Sequence, residues 1–156
     1  MKEERFLLQH ALKIAEKGID TGHGPFGAVI SKNGRIIAEA NNEVVISNDP
    51  TAHAEVLAIR RASSFLKTHD LSDCVLYTSC EPCPMCLGAI YWSGIKKVVY
   101  ATDRNDAERS GFSDRQIYDE INLDPAERKI CFIKITDAGG EKVFKKWDNF
   151  ENKIPY

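Results

Sequence analysis

The sequence lacks any apolar stretch long enough for a bilayer: its longest run without a charged residue, 82–95, has 14 residues and contains two prolines and two glycines. A membrane-crossing helix needs ~20 apolar residues, so no membrane partner is expected. It also lacks an excess of charge, with 21 Lys and Arg against 23 Asp and Glu and a formal net charge of −2. Non-specific affinity for phosphates comes from surplus cations, which weighs against a nucleic acid partner. An even set of well-spaced cysteines is missing too. There are five, and Cys80, Cys83 and Cys86 follow one another at intervals of three, a pattern that suits metal or redox chemistry better than a disulfide framework. Repeats, low-complexity tracts and linkers are absent. Met1-Lys2-Glu3-Glu4-Arg5 carries acids where a secretory signal would lead into an apolar stretch, so a cytoplasmic protein is expected.

What is present is an ordinary globular balance, 43% hydrophobic and 28% charged over 156 residues, which reads as one domain spanning the chain. Leu7, Ala11, Ile14, Ala15 and Gly18 recur at helical spacing and predict a first helix from Glu3 to about Ile19. Two short apolar runs around Asn33-Gly34 predict a β-hairpin over 27–40, because that dipeptide suits a two-residue turn. Asp49-Pro50-Thr51 marks a loop, and Ala54, Leu57, Ala58 and Ala62 a second helix that starts beside His53. Strands are predicted at 75–78, 98–101 and 130–135. Between the first two of these, Cys83-Pro84 begins a helix that Gly94 stops; it is apolar nearly all round and is expected to be buried, with Trp92 in the core. A polar loop over 103–114, a short helix at 117–121 and a last helix from Glu141 complete the chain. Helices alternating with strands after a hairpin predict an α/β fold, a three-layer α/β/α arrangement around a five-stranded mixed sheet.

His53-Ala54-Glu55 and Pro82-Cys83-Pro84-Met85-Cys86 carry the chemistry. One imidazole and two thiolates suit zinc. Cys83 and Cys86, three apart at a helix start, place both sulfurs on one side of the first turn, where unpaired N–H groups and the positive dipole end favour thiolate. Three protein ligands leave a fourth tetrahedral position for water, whose pKa zinc lowers from 15.7 to about 7. Glu55 lies two residues beyond His53 and is the candidate general acid and base. On a regular helix positions i and i+2 point about 200° apart, so both can serve one ion only if it lies off the helix end.

This H-x-E and P-C-x-x-C pair resembles the zinc-dependent nucleobase deaminases of the cytidine and deoxycytidylate deaminase-like superfamily. Residues 24–30, 48–55 and 78–86 carry that resemblance. Gly111-Phe112-Ser113-Asp114 with the tail Trp147-x-x-Phe150-x-Asn152-Lys153-x-x-Tyr156 is more selectively similar to the bacterial guanine deaminases. That branch usually has a second acid where this chain has Ser113. The resemblance implies a cytidine-deaminase-like fold, one Zn2+ per subunit and a purine substrate, with guanine hydrolysed at C2 to xanthine and ammonia and water as co-substrate. It implies His53, Cys83 and Cys86 on zinc and Glu55 as proton carrier. Asn42 and Ala54 would contact the base, Phe26 would stack on it, and Asp114 would be a second catalytic residue, meeting the donor edge of guanine, which an acceptor-only carboxylate can take, and shuttling a proton. It further implies a homodimer in which a C-terminal segment from about residue 140 crosses between subunits, with Tyr156 closing the partner's pocket.

Other readings stay open at this point. A tRNA adenosine deaminase, or a deaminase of guanosine or another aminated heterocycle, would keep the chemistry and change the substrate. A non-catalytic module built on a closed zinc site, with Cys80 as fourth ligand, would have no turnover. Phe26 could be core, Asn42 a turn residue and Asp114 a helix cap.

Overall fold

Asn33 and Gly34 both have positive φ, 50° and 74°, the combination that lets a two-residue turn follow the twist of its strands. The turn joins β1 (Gly27–Lys32) to β2 (Arg35–Asn41), which pair antiparallel from Lys32 opposite Arg35 to Gly27 opposite Asn41. On its other side β1 pairs antiparallel with β3 (Cys74–Cys80), and β3 pairs parallel with β4 (Lys97–Thr102). The sheet order is β2-β1-β3-β4. These coordinates come from a computed structural model that describes residues 2–155.

Alternation along the strands builds two apolar layers. Ala28, Ile30 and Leu76 point to one face and meet Ala54, Ala58 and Ala62 of α3 (Ala54–Leu66). Val29 and Tyr77 point to the other and meet Leu7 and Ala11 of α1 (Lys2–Asp20). Small residues on both helices let them approach the sheet closely. At Gly27 a Cβ would lie 2.3 Å from the carbonyl oxygen of Ala11 and 2.6 Å from the nitrogen of Ala15, so helix backbone occupies the space a side chain would need. The expected three-layer mixed α/β architecture is therefore present, in the unit that ends at Asp114.

Four expectations are corrected. The sheet has four strands among the described residues, and 130–135 is irregular; its β-branched pattern has no backbone ladder there, and a strand exists only through its ladder. The stretch after Asn41 contains a one-turn helix, α2 (Val44–Ser47). The helix at Cys83, α4 (Pro84–Trp92), buries only Cys86 and Ile90, and Tyr91 and Trp92 are 78% and 68% exposed rather than core; apolar composition all round does not supply a covering surface. The polar loop after Thr102 contains α5 (Arg104–Arg109), a helix closed by a capping box in which Asp103 accepts from the Asn105 and Asp106 amides and Asp106 accepts from the Asp103 amide.

The second unit begins at Arg115 and comprises α6 (Arg115–Ile121), a 3-10 turn at Pro125–Glu127 and α7 (Gly140–Asp148). None of its described residues is buried. No described helix is long and apolar enough to cross a membrane.

Candidate active site

The loop before α3 is folded by Asp49, whose carboxylate accepts the Thr51 amide at 2.8 Å and the Thr51 hydroxyl at 2.7 Å. The Ala52 amide then bonds the Asp49 carbonyl and the His53 amide bonds the Thr51 carbonyl, delivering His53 to the helix start. His53 is the N-cap of α3, in extended conformation with φ −70° and ψ 150°. The imidazole therefore leaves the chain before the helical rotation begins. Glu55, inside the first turn, does not have to share its direction, and the condition that the ion lie off the helix end is met.

Cys83 is likewise an extended N-cap, of α4, with φ −66° and ψ 168°, and Pro84 opens the helix. The His53 side chain makes no cap hydrogen bond to its own helix, and the N-terminal amides and positive dipole ends of α3 and α4 both favour negative charge here. His53 Nδ1 lies 3.5 Å from Cys83 Sγ and 3.6 Å from Cys86 Sγ. The three ligand atoms lie within 4.8 Å of one another. One nitrogen and two sulfurs at that spacing fit a zinc ion, with the donor softness zinc prefers. Cys80 stands apart: its thiol donates to the Asp103 carbonyl at 3.4 Å, outside the ligand cluster, which weakens the closed four-ligand reading.

Charge is arranged to match. Cys83 is held as thiolate, its pKa lowered to about 4, first by the hydrogen bond from Cys86 and then by His53, against opposing burial. The Cys86 thiol is pushed up by that same neighbour and by burial. Glu55 is 6% exposed, and its Oε2 accepts from Cys86 Sγ at 3.4 Å. Burial pushes its carboxyl above the usual range. A buried acid beside two sulfur ligands is placed to gain and lose a proton next to a metal.

The walls come from β1, β2 and the segment after α5. Asn42 is buried, its amide donates to the Phe26 carbonyl at 2.9 Å, and its Oδ1 accepts the Val44 amide at 3.3 Å. Its side chain thus makes the local turn into α2. Ala54 is fully buried at the first position of α3. Phe26 is half-buried and packs at the edge of the core beneath α3. Asp114 is half-buried, and desolvation followed by the negative charge at Cys83 raises its pKa. Tyr156 lies outside the described residues.

Two residues of this cleft carried no assignment from the sequence. The β1–β3 ladder ends at Ala28 opposite Thr78, and beyond it the Gly27 amide bonds the buried Ser79 hydroxyl at 3.1 Å. A side chain thus replaces a ladder carbonyl where the two strands part to open the cleft. The Phe112 ring meets Phe26 edge-on, with centroids 5.0 Å apart and planes at 86°. Neither has a local signature, because each acts through a partner more than 50 positions away.

Residues 1–102 match a family model described as the cytidine and deoxycytidylate deaminase zinc-binding region. The chain is 53% identical over 157 residues to the guanine deaminase of Bacillus subtilis (strain 168), with all of both chains covered. It superimposes on the X-ray structure of guanine deaminase from Bacillus subtilis with a TM-score of 0.95 at 52% identity, covering 97% of this chain and 98% of that one. The tRNA-specific adenosine deaminase of Aquifex aeolicus is 44% identical over 98 residues, which are 63% of this chain and 65% of that protein.

Proposed function

The chain belongs to the cytidine and deoxycytidylate deaminase zinc-binding family, and from that premise we propose that it is a zinc-dependent hydrolase converting guanine and water to xanthine and ammonia. The observation that carries the substrate is the depth and reach of the likeness: identity to a guanine deaminase is 53% through the whole chain, whereas tRNA-specific adenosine deaminases match at 44% over 63% of it or at 36% over 83% of it.

His53, Cys83 and Cys86 would hold the zinc. When bound, zinc acts as a Lewis acid that makes water a usable nucleophile near neutral pH. Glu55 takes a proton from the attacking water and gives it to a ring nitrogen of guanine, then takes the second proton from the hydroxyl added at C2 and delivers it to the amine as the C2–N bond breaks and the carbonyl forms. Its burial keeps bulk water from competing for that proton. Asp114 accepts from the adjacent donors on the guanine edge, which adenine and cytosine do not present. Asn42 and Ala54 contact the base and Phe26 stacks on it.

The assembly we infer is a homodimer in which a segment from about residue 140 crosses to the other subunit, bringing Tyr156 to its pocket. In support, α7 exposes Val143, Phe144 and Trp147, and α4 exposes Tyr91 and Trp92, large apolar side chains that an interface between subunits would cover. We place the enzyme in the cytoplasm, in keeping with a chain that has five free cysteines.

The test is ammonia release by zinc-loaded protein from guanine, guanosine, adenine, cytosine, cytidine and a tRNA transcript, with Glu55→Gln as blank. Turnover of guanine, lost in the blank, is the expected result. Turnover of another member without guanine would overturn the role of Asp114 and keep the zinc chemistry.

A further inference from the structure

Phe112 stands two residues before Asp114, and its ring forms a T-shaped pair with that of Phe26, just before β1. The segment that carries it is tied to the metal loop at its start. There the Glu81 amide bonds the Thr102 carbonyl, the Arg104 amide bonds the Glu81 carboxylate, and the Cys80 thiol bonds the Asp103 carbonyl. At the other end of α5 the Gly111 amide bonds the Glu108 carbonyl and the Phe112 amide bonds the Ala107 carbonyl, with Gly111 at φ 90°. That left-handed turn releases the chain from the helix and brings Phe112 to Phe26. Beyond it the Ser113 hydroxyl bonds the exposed Glu108 carboxylate at 3.1 Å, a bond that holds the segment to its own helix.

We propose that Phe112 is a positioning residue for guanine: its edge-to-face contact with Phe26 ties the segment bearing Asp114 to the β1 wall and so sets the distance between the carboxylate and the stacking ring. The inference rests on the guanine reading. Phe112 is 45% exposed, so it is a poor candidate for a core residue and removing it sacrifices little buried area. A T-shaped pair depends on a ring edge meeting a ring face, not on volume alone. Leucine at 112 would fill comparable space without the edge, and tyrosine would restore the edge while its hydroxyl reaches water.

The experiment is steady-state kinetics of zinc-loaded wild type, Phe112→Leu and Phe112→Tyr, repeated in an Asp114→Asn background, with zinc content and Tm measured for each. Phe112→Leu should raise KM for guanine about fivefold, the scale an aromatic pair supports, with kcat changed less and zinc and Tm near wild type. Phe112→Tyr should restore KM. In the Asp114→Asn background Phe112→Leu should add almost nothing, because a residue that acts through Asp114 loses its effect with it. An unchanged KM, a tyrosine variant as impaired as leucine, or an equal loss in both backgrounds would each overturn the proposal. A wild type that does not turn over guanine would overturn the functional reading and this inference with it, and that failure is distinct because it is seen before any variant is made.

Discussion

At the residue scale the site is an arrangement of charge around two helix starts. Glu55→Gln should keep the zinc and lower turnover by about a hundredfold or more, the usual worth of a positioned acid and base; metal analysis alongside guanine kinetics checks both halves. The same variant has a pH signature in the metal-stripped protein. Burial raises the folded pKa of Glu55 above 4.5, so the wild type loses stability as pH rises from that value toward the folded pKa, whereas glutamine does not titrate. Stripped Glu55→Gln should melt above stripped wild type at pH 7, and the gap should close as pH falls below 4.5; equal melting at pH 7 would contradict the burial argument. Cys80→Ala should retain zinc and Cys83→Ala lose it, since only Cys83 shares a cluster with His53 and Cys86. Loss of zinc from both would restore the closed-site reading. The cluster of His53, Cys83 and Cys86 was legible because spacing and donor type are local properties. The His53 backbone, extended rather than helical, answers a geometric question that spacing could only pose.

At the element scale, close packing of α1 on β1 is set by backbone contact. Gly27→Ala should destabilise the fold by about 2 kcal/mol, the range of overpacked sites, because the new methyl meets the carbonyl oxygen of Ala11 at 2.3 Å; chemical denaturation measures it, and a neutral result would show that α1 can shift. The capping of α5 makes a second case. Hydrogen bonds to the Asp106 and Asn105 amides lower the pKa of Asp103 below 3.8. Its contribution to the helix is full above that value and fades as pH falls through the folded pKa. Asp103→Ala should speed amide exchange through residues 104–112 at neutral pH, and acid should narrow the difference from wild type. The hairpin was readable because its turn chemistry lies in two adjacent residues. α5 was not, since one and a half turns of polar residues show no periodicity and only the cap marks them. Residues 130–135 misled for the converse reason: they have the composition of a strand and no ladder.

At the scale of the whole molecule, the exposed apolar faces of α4 and α7 bear on assembly. A chain ending at residue 139 should run as a monomer by light scattering and lose most guanine turnover if the tail reaches a neighbouring pocket; a dimeric, fully active truncation would remove the tail from both roles. The sequence by itself determined the metal ligands, the acid beside them, the hairpin and the alternation of helices and strands, because each is written in residues a few positions apart. Tertiary structure alone decided that Cys80 turns to Asp103, that Ser79 takes the Gly27 amide where β1 and β3 separate, and that Phe112 meets Phe26. Those contacts join positions 23, 52 and 86 residues apart, and no local preference of either partner encodes a distance that only the packed sheet and its helices create.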